Sequence, residues 1–190
     1  MMLRRRGLFV LALPLAAAMA CSSPDPRYYA LRVVPGAAAG GGPKVVMVKD
    51  IGLASYLDRR EIVRSSEGYR LDVMANDWWG EQLSGMLARV LVLELSQRLP
   101  QSRVYAESGA INADANAIVA VNIQRLDADR SGTLHLLAQV AIEFNRPKRS
   151  AARNFAITKA PPTPDIAGLV AAESDAIAEL AEGIAMMLQP

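Results

Sequence analysis

Thr133–Asn145 reads TLHLLAQVAIEFN, and its alternation decides the fold class. Leu134, Leu136, Ala138, Val140, Ile142 and Phe144 share one face of an extended chain. Thr133, His135, Gln139, Glu143 and Asn145 share the other, interrupted by Leu137 and Ala141. Successive strand side chains point to opposite faces. A run that is apolar on one side and polar on the other belongs to a sheet with one covered face. Upstream, Ala117–Asp127 (AIVAVNIQRLD) reads as its hairpin partner, with Asp127–Gly132 (DADRSG) as the turn. Downstream, Arg146–Ser150 reads as a second turn and Ala152–Thr158 as the third strand of a meander.

Two helices are expected against this sheet. In Asp77–Leu99, Leu83, Met86, Leu87, Val90, Leu91 and Leu95 recur at helical spacing. Glu81, Gln82, Arg89, Glu94 and Gln97 lie off that stripe; Asn76 or Asp77 is the expected cap, and Pro100 follows the end. The second helix follows Pro161, Pro162 and Pro164, with Asp165 as cap and Ile166, Leu169, Val170, Ile177, Leu180 and Ile184 on one stripe. Tyr28–Val34 and Lys44–Asp50 read as strands, Arg103–Glu107 as a short one, and Glu61–Val73 as a hairpin turning at Ser66–Gly68. Pro35–Pro43 (PGAAAGGGP) is expected to be a flexible loop, too glycine-rich to pack. The expectation is one α+β domain over residues 28–190, a largely antiparallel sheet with two amphipathic helices packed on one face.

The N-terminus reads as an address. Arg4, Arg5 and Arg6 precede the apolar stretch Gly7–Ala20, whose 14 residues fall short of the ~20 needed to span a bilayer. A signal peptide over residues 1–20 fits better than a buried helix. The arginine run lacks the rest of a twin-arginine pattern, which favours the general secretory route. Cys21 is the chain's one cysteine and follows the apolar stretch directly, in Ala18-Met19-Ala20-Cys21. This resembles a bacterial lipobox, so Cys21 is expected to carry lipid rather than a free reactive thiol. Residues 21–27 are then the lipidated cysteine and a short tether. The 21 Lys+Arg, less Arg4, Arg5 and Arg6, leave 18 basic groups against 19 acidic ones. That balance removes the positive field that nucleic-acid binding needs.

The inventory for chemistry is thin. His135 is the one histidine and falls mid-strand on the polar face. Catalysis through it needs a nucleophile and an orienting group beside it. Zinc usually takes several Cys or His ligands, so no metal or cofactor is expected, and no G-x-S-x-G elbow is present. The glycines of residues 36–42 stand in no phosphate-binding context. Two features invite a partner instead. Asp58, Arg59, Arg60 and Glu61 form a mixed-charge run, equally readable as a solvated turn. On the expected helix Trp78 and Trp79 point about 100° apart; Trp79, four residues before Leu83, is expected in the core, and Trp78 as a surface anchor. The candidate contact residues are Trp78, Tyr56, Leu57, Asp58, Arg59 and Arg60.

Several phrases, in their order, resemble one family. Ser55–Val63 (SYLDRREIV) is similar to a YLDRPQIV segment, and Trp79–Leu83 (WGEQL) to a W-A-E-P-L helix start. Val119–Arg125 (VAVNIQR), Leu134–Ala138 (LHLLA) and Leu169–Leu188 fit the hairpin and last helix. The chain thus resembles the PqiC-like auxiliary lipoproteins of ABC-type transport systems, which accompany MCE-type lipid-trafficking complexes. The resemblance implies a non-enzymatic outer-membrane lipoprotein facing the periplasm. It also implies an MCE-domain periplasmic protein and an inner-membrane permease as partners, and self-association into rings. Ser22, following the cysteine, agrees with outer-membrane sorting in such lipoproteins. Two other readings stay open: an assembly lipoprotein of the pilotin type for another outer-membrane machine, and an envelope hydrolase.

Overall fold

The longest strands form a meander. β7 (Ala117–Ala128), β8 (Leu134–Asn145) and β9 (Lys148–Lys159) are 12 residues each and pair antiparallel in sequence order. These coordinates are a computed structural model in which residues 25–107 and 113–189 are described. The expected signal peptide and Cys21 lie outside the described residues.

The alternation of β8 is realised: Leu134, Leu136, Ala138, Val140, Ile142 and Phe144 are all buried. A register shift between Ile123 and Arg125 marks a one-residue bulge at Gln124. It sets Leu126 and Ala128 opposite Leu136 and Leu134, keeping the apolar face continuous. Gly132, with φ 86°, lets the β7–β8 turn close at a left-handed position.

Six shorter strands complete the sheet: β1 (Arg27–Tyr29), β2 (Val45–Val48), β3 (Gly52–Leu53), β4 (Glu61–Ser65), β5 (Asp72–Trp79) and β6 (Arg103–Ala106). β7 is the spine. β8 flanks it on one side; β2, β3 and β4 share the other, all parallel to it. β6 lies parallel beyond β2; β5 lies antiparallel beyond β4, and β1 parallel beyond β5. The sheet is therefore mixed, and the expected antiparallel character belongs to the meander and the β4–β5 hairpin. Short parallel pairings join segments far apart in sequence, so no local signal announces them.

Helices α1 (Leu83–Arg98) and α2 (Ile166–Met187) pack on one face of the sheet and on each other. The fold is α+β, as the periodicities require. α2 begins as read: Asp165 accepts a hydrogen bond from the Gly168 N–H at 2.8 Å. α1 does not. Asp77–Trp79 finish β5, the helix begins six residues later than Asp77, and its cap Gln82 makes no side-chain cap bond.

The segment after β1 also departs from expectation. Tyr28–Val34 yields only the short β1, and the chain from Ala30 to Pro43 straps the helix pair. The Leu31 N–H lies 3.1 Å from Met86 Sδ, the Arg32 N–H donates to Ser174 Oγ, and the Val34 N–H donates to Glu94 Oε1 at 3.0 Å. The Ala39 N–H reaches the Arg98 carbonyl at 2.6 Å. Some glycines of this segment do pack: a Cβ on Gly36 would stand 2.3 Å from the Arg98 guanidinium carbon, and one on Gly42 3.1 Å from Leu99, while Gly40 faces open space. The strap explains why Glu94, expected off the apolar stripe, is fully buried beside Arg98, 3.4 Å away. Burial pushes the Glu94 pKa up, against the Val34 N–H and Arg98, which favour the charged form.

Candidate functional site

Strand parity separates the two tryptophans. Neighbouring strand residues face opposite ways, so Trp79 enters the core at 5 % exposure while Trp78 stays half-buried at the surface. The core place of Trp79 and the surface place of Trp78 match the sequence expectation, although strand parity and not a helical angle produces them. β1 pairs in register with β5, placing Arg27 opposite Asp77, Tyr28 opposite Trp78 and Tyr29 opposite Trp79.

The inner side of this pairing is a polar clasp. The Arg27 guanidinium lies 2.8 Å from Asp77 Oδ1, and the Tyr29 hydroxyl donates to the same oxygen at 2.9 Å. Asp77 is only 5 % exposed. Burial and the contact with Asp77 push the Tyr29 phenol above its ordinary range.

The outer side is aromatic and cationic. Tyr28 and Trp78 meet edge to face, with ring centroids 6.0 Å apart and planes at 84°. The Arg60 guanidinium lies over the Trp78 ring at 4.9 Å. Such contacts contribute about 0.5–1.5 kcal/mol for the aromatic pair and about 0.5–1 kcal/mol for an exposed cation over a ring. The indole N–H donates to the Ala75 carbonyl at 2.9 Å, fixing the ring's orientation. A cleft of about 370 Å³ opens here, with Tyr28, Asp58, Arg59, Arg60, Trp78 and Glu81 in its wall. Among the described residues, Asp58, Arg59 and Arg60 form no ion pair.

The structure thus joins Trp78 to Asp58, Arg59 and Arg60 and turns the rest of that segment inward. Leu57 is 3 % exposed and belongs to the core. The Tyr56 hydroxyl donates to Asp127 Oδ2 at 2.7 Å. Burial, reinforced by that contact, holds its phenol far above the ordinary range. Sequence reading missed Tyr28, 65 % exposed and in the same wall. Its signal was the Tyr28-Tyr29 pair in a short strand, which names one outward aromatic but not its partner.

Other candidates resolve into structure. His135 Nε2 lies 2.8 Å from Asp129 Oδ2, and the Ser131 hydroxyl donates to Asp129 Oδ1 at 2.6 Å. Asp129 therefore sits between serine and histidine, and the group closes the β7–β8 turn. Those bonds, Ser131 first, hold the Asp129 carboxyl well below the usual carboxylate range. Among the described residues no three His, Cys, Asp or Glu side chains are grouped to hold a metal ion. Likewise, no described helix is long and apolar enough to cross a membrane. A recess of about 900 Å³ between α2 and β9 mixes both charge signs, with Lys159 already paired to Glu179 at 2.6 Å.

A family model described as "ABC-type transport auxiliary lipoprotein component" matches residues 29–185. No curated protein matches the chain. Among solved structures, an uncharacterized protein is similar with a TM-score of 0.75 at 17% identity, covering 87% of this chain and 100% of its own. A Xanthomonas campestris protein of family DUF330 is similar with a TM-score of 0.69 at 17% identity, covering 85% of this chain and 94% of its own. At that identity the likeness is one of fold.

Proposed function

The chain belongs to the family of ABC-type transport auxiliary lipoprotein components, and from that premise we propose that it is the lipid-anchored outer-membrane member of an MCE-type system moving lipids between membranes. Cys21 carries the lipid, residues 1–20 are removed on export, and the domain from residue 28 faces the periplasm. The observation that carries this reading is continuity: the family match begins at residue 29, eight residues after the chain's one cysteine.

The work is holding and docking, without catalysis. The one histidine commits Nε2 to Asp129 in a turn, where it serves the fold. The domain's outward contact is made through Trp78 with Asp58, Arg59 and Arg60. An MCE-domain periplasmic protein and an inner-membrane permease are its partners in the system, and further copies of the chain complete a ring.

Affinity purification of the full-length protein from gently solubilised envelopes tests this. The MCE-domain protein and the permease are expected to co-purify. Recovery of a secretion or pilus machine without them would replace this reading with the pilotin-type one.

A further inference from the structure

We propose that the Tyr28–Trp78–Arg60 cleft rests on the membrane surface, where it takes a zwitterionic phospholipid headgroup of the leaflet that holds the Cys21 lipid. The inference rests on the reading of Cys21 as the anchor and names what the Trp78 face touches.

Reach is the first argument. Six residue-to-residue steps lead from Cys21 to Arg27, the first residue of β1. At no more than about 3.3–3.6 Å each, they span at most about 20 Å. β1 therefore lies within that distance of the acyl chains, and Tyr28 is the next residue along it. The Arg27 and Tyr29 contacts to Asp77 pin this strand to the domain. The lipid and the cleft are thereby coupled through a strand fixed at its inner side.

Chemistry is the second. Trp and Tyr gather at membrane–water interfaces, where an amphipathic ring meets both phases. Here Tyr28 stands 65 % exposed with Trp78 edge-on behind it. A zwitterionic headgroup carries a phosphate and an ammonium group. Arg59 and Arg60, which form no ion pair among the described residues, offer guanidinium groups for the phosphate, and Asp58, equally without an ion pair there, a carboxylate for the ammonium, in the wall of one cleft. Its volume, about 370 Å³, lies in the usual range for small-ligand clefts. A patch of one charge sign would select an anionic surface; this one presents both signs around an aromatic centre.

The test uses the mature lipidated protein, purified from membranes and placed in phosphatidylcholine–phosphatidylethanolamine vesicles. A fraction of the lipid carries a nitroxide quencher on its headgroup. The chain has two tryptophans, and Trp79, 5 % exposed, is the more shielded of the two. The wild-type protein is expected to sediment with the vesicles and lose the Trp78 share of its emission. The Trp78→Phe variant is expected to sediment equally and lose a much smaller share. Arg59→Glu with Arg60→Glu is expected to sediment and be quenched less than wild type. Sedimentation without quenching would overturn the inference, leave the anchor standing and assign the cleft to a protein contact. Equal quenching in Trp78→Phe would overturn it too. Failure to sediment would overturn the anchor reading, and the inference with it.

Discussion

Replacing Glu173 with leucine should stabilise this protein, by more as the pH rises. Glu173 sits on the core stripe of α2 between Val170 and Ile177, 1 % exposed, and its Oε2 has no hydrogen-bond partner. Burial pushes its carboxyl well above the ordinary range, and the negative charge of Asp127 adds to the effect. Leaving a buried polar group unsatisfied costs about 1–3 kcal/mol, and burying a leucine side chain contributes about 1.5–3 kcal/mol. Allowing for imperfect fit, Glu173→Leu should gain about 1–4 kcal/mol near pH 4, where the carboxyl is largely protonated in both states. For a chain of this size each kcal/mol moves Tm by about 2–4 °C. The sign with pH follows from proton counting. Above the unfolded glutamate pKa of about 4.3, the folded state still holds a proton that the unfolded state has released. Wild-type stability therefore falls by about 1.4 kcal/mol per pH unit from there up to the folded pKa. The leucine variant lacks this term. Glu94, whose pKa is also raised, contributes alike to both proteins and cancels in their difference. Urea titrations of both from pH 4 to pH 8 should show a gap that opens as pH rises, while Glu173→Gln removes the slope with a smaller gain. A leucine variant less stable than wild type, or a gap that stays flat, would refute the reasoning.

Two further substitutions probe the packing. A Cβ on Gly183 would lie 2.3 Å from the Phe155 ring, so Gly183→Val should force α2 from β9 and cost about 1–3 kcal/mol, read as a lower urea midpoint. Trp79→Ala empties a core site and should cost about 3–5 kcal/mol, whereas Trp78→Ala gives up surface contacts with Tyr28, Arg60 and the Ala75 carbonyl, about 1–2 kcal/mol; thermal melts of the two side by side distinguish them.

The meander was legible because period-two alternation over 12 residues needs no knowledge of neighbours. The short strands were legible in part: β2, β6 and the β4–β5 hairpin fall where strands are read, but β3 was missed, β1 was read too long, and the parallel pairings join partners far away in sequence. Asp77–Trp79 looked helical because Trp79 stands four residues before Leu83. Pairing with β1 on one side and β4 on the other makes it a strand, and the helix starts only past Gly80. Glu94 looked solvent-facing because the strap that covers it comes from residues 60 positions earlier. The contact face was half legible. The charges of Asp58–Arg60 and the oddity of adjacent tryptophans are visible in the sequence. The inward turn of Tyr56 and Leu57 depends on Asp127 and the core, and Tyr28 joins Trp78 only through strand register.

The central claim, a lipid-anchored auxiliary protein of the outer membrane, is tested most directly by palmitate labelling of cells making the wild-type chain or Cys21→Ser, read in the separated outer-membrane fraction. The account predicts label on the wild-type protein in that fraction and none on the variant. Label on Cys21→Ser, or an unlabelled wild-type protein, would contradict it.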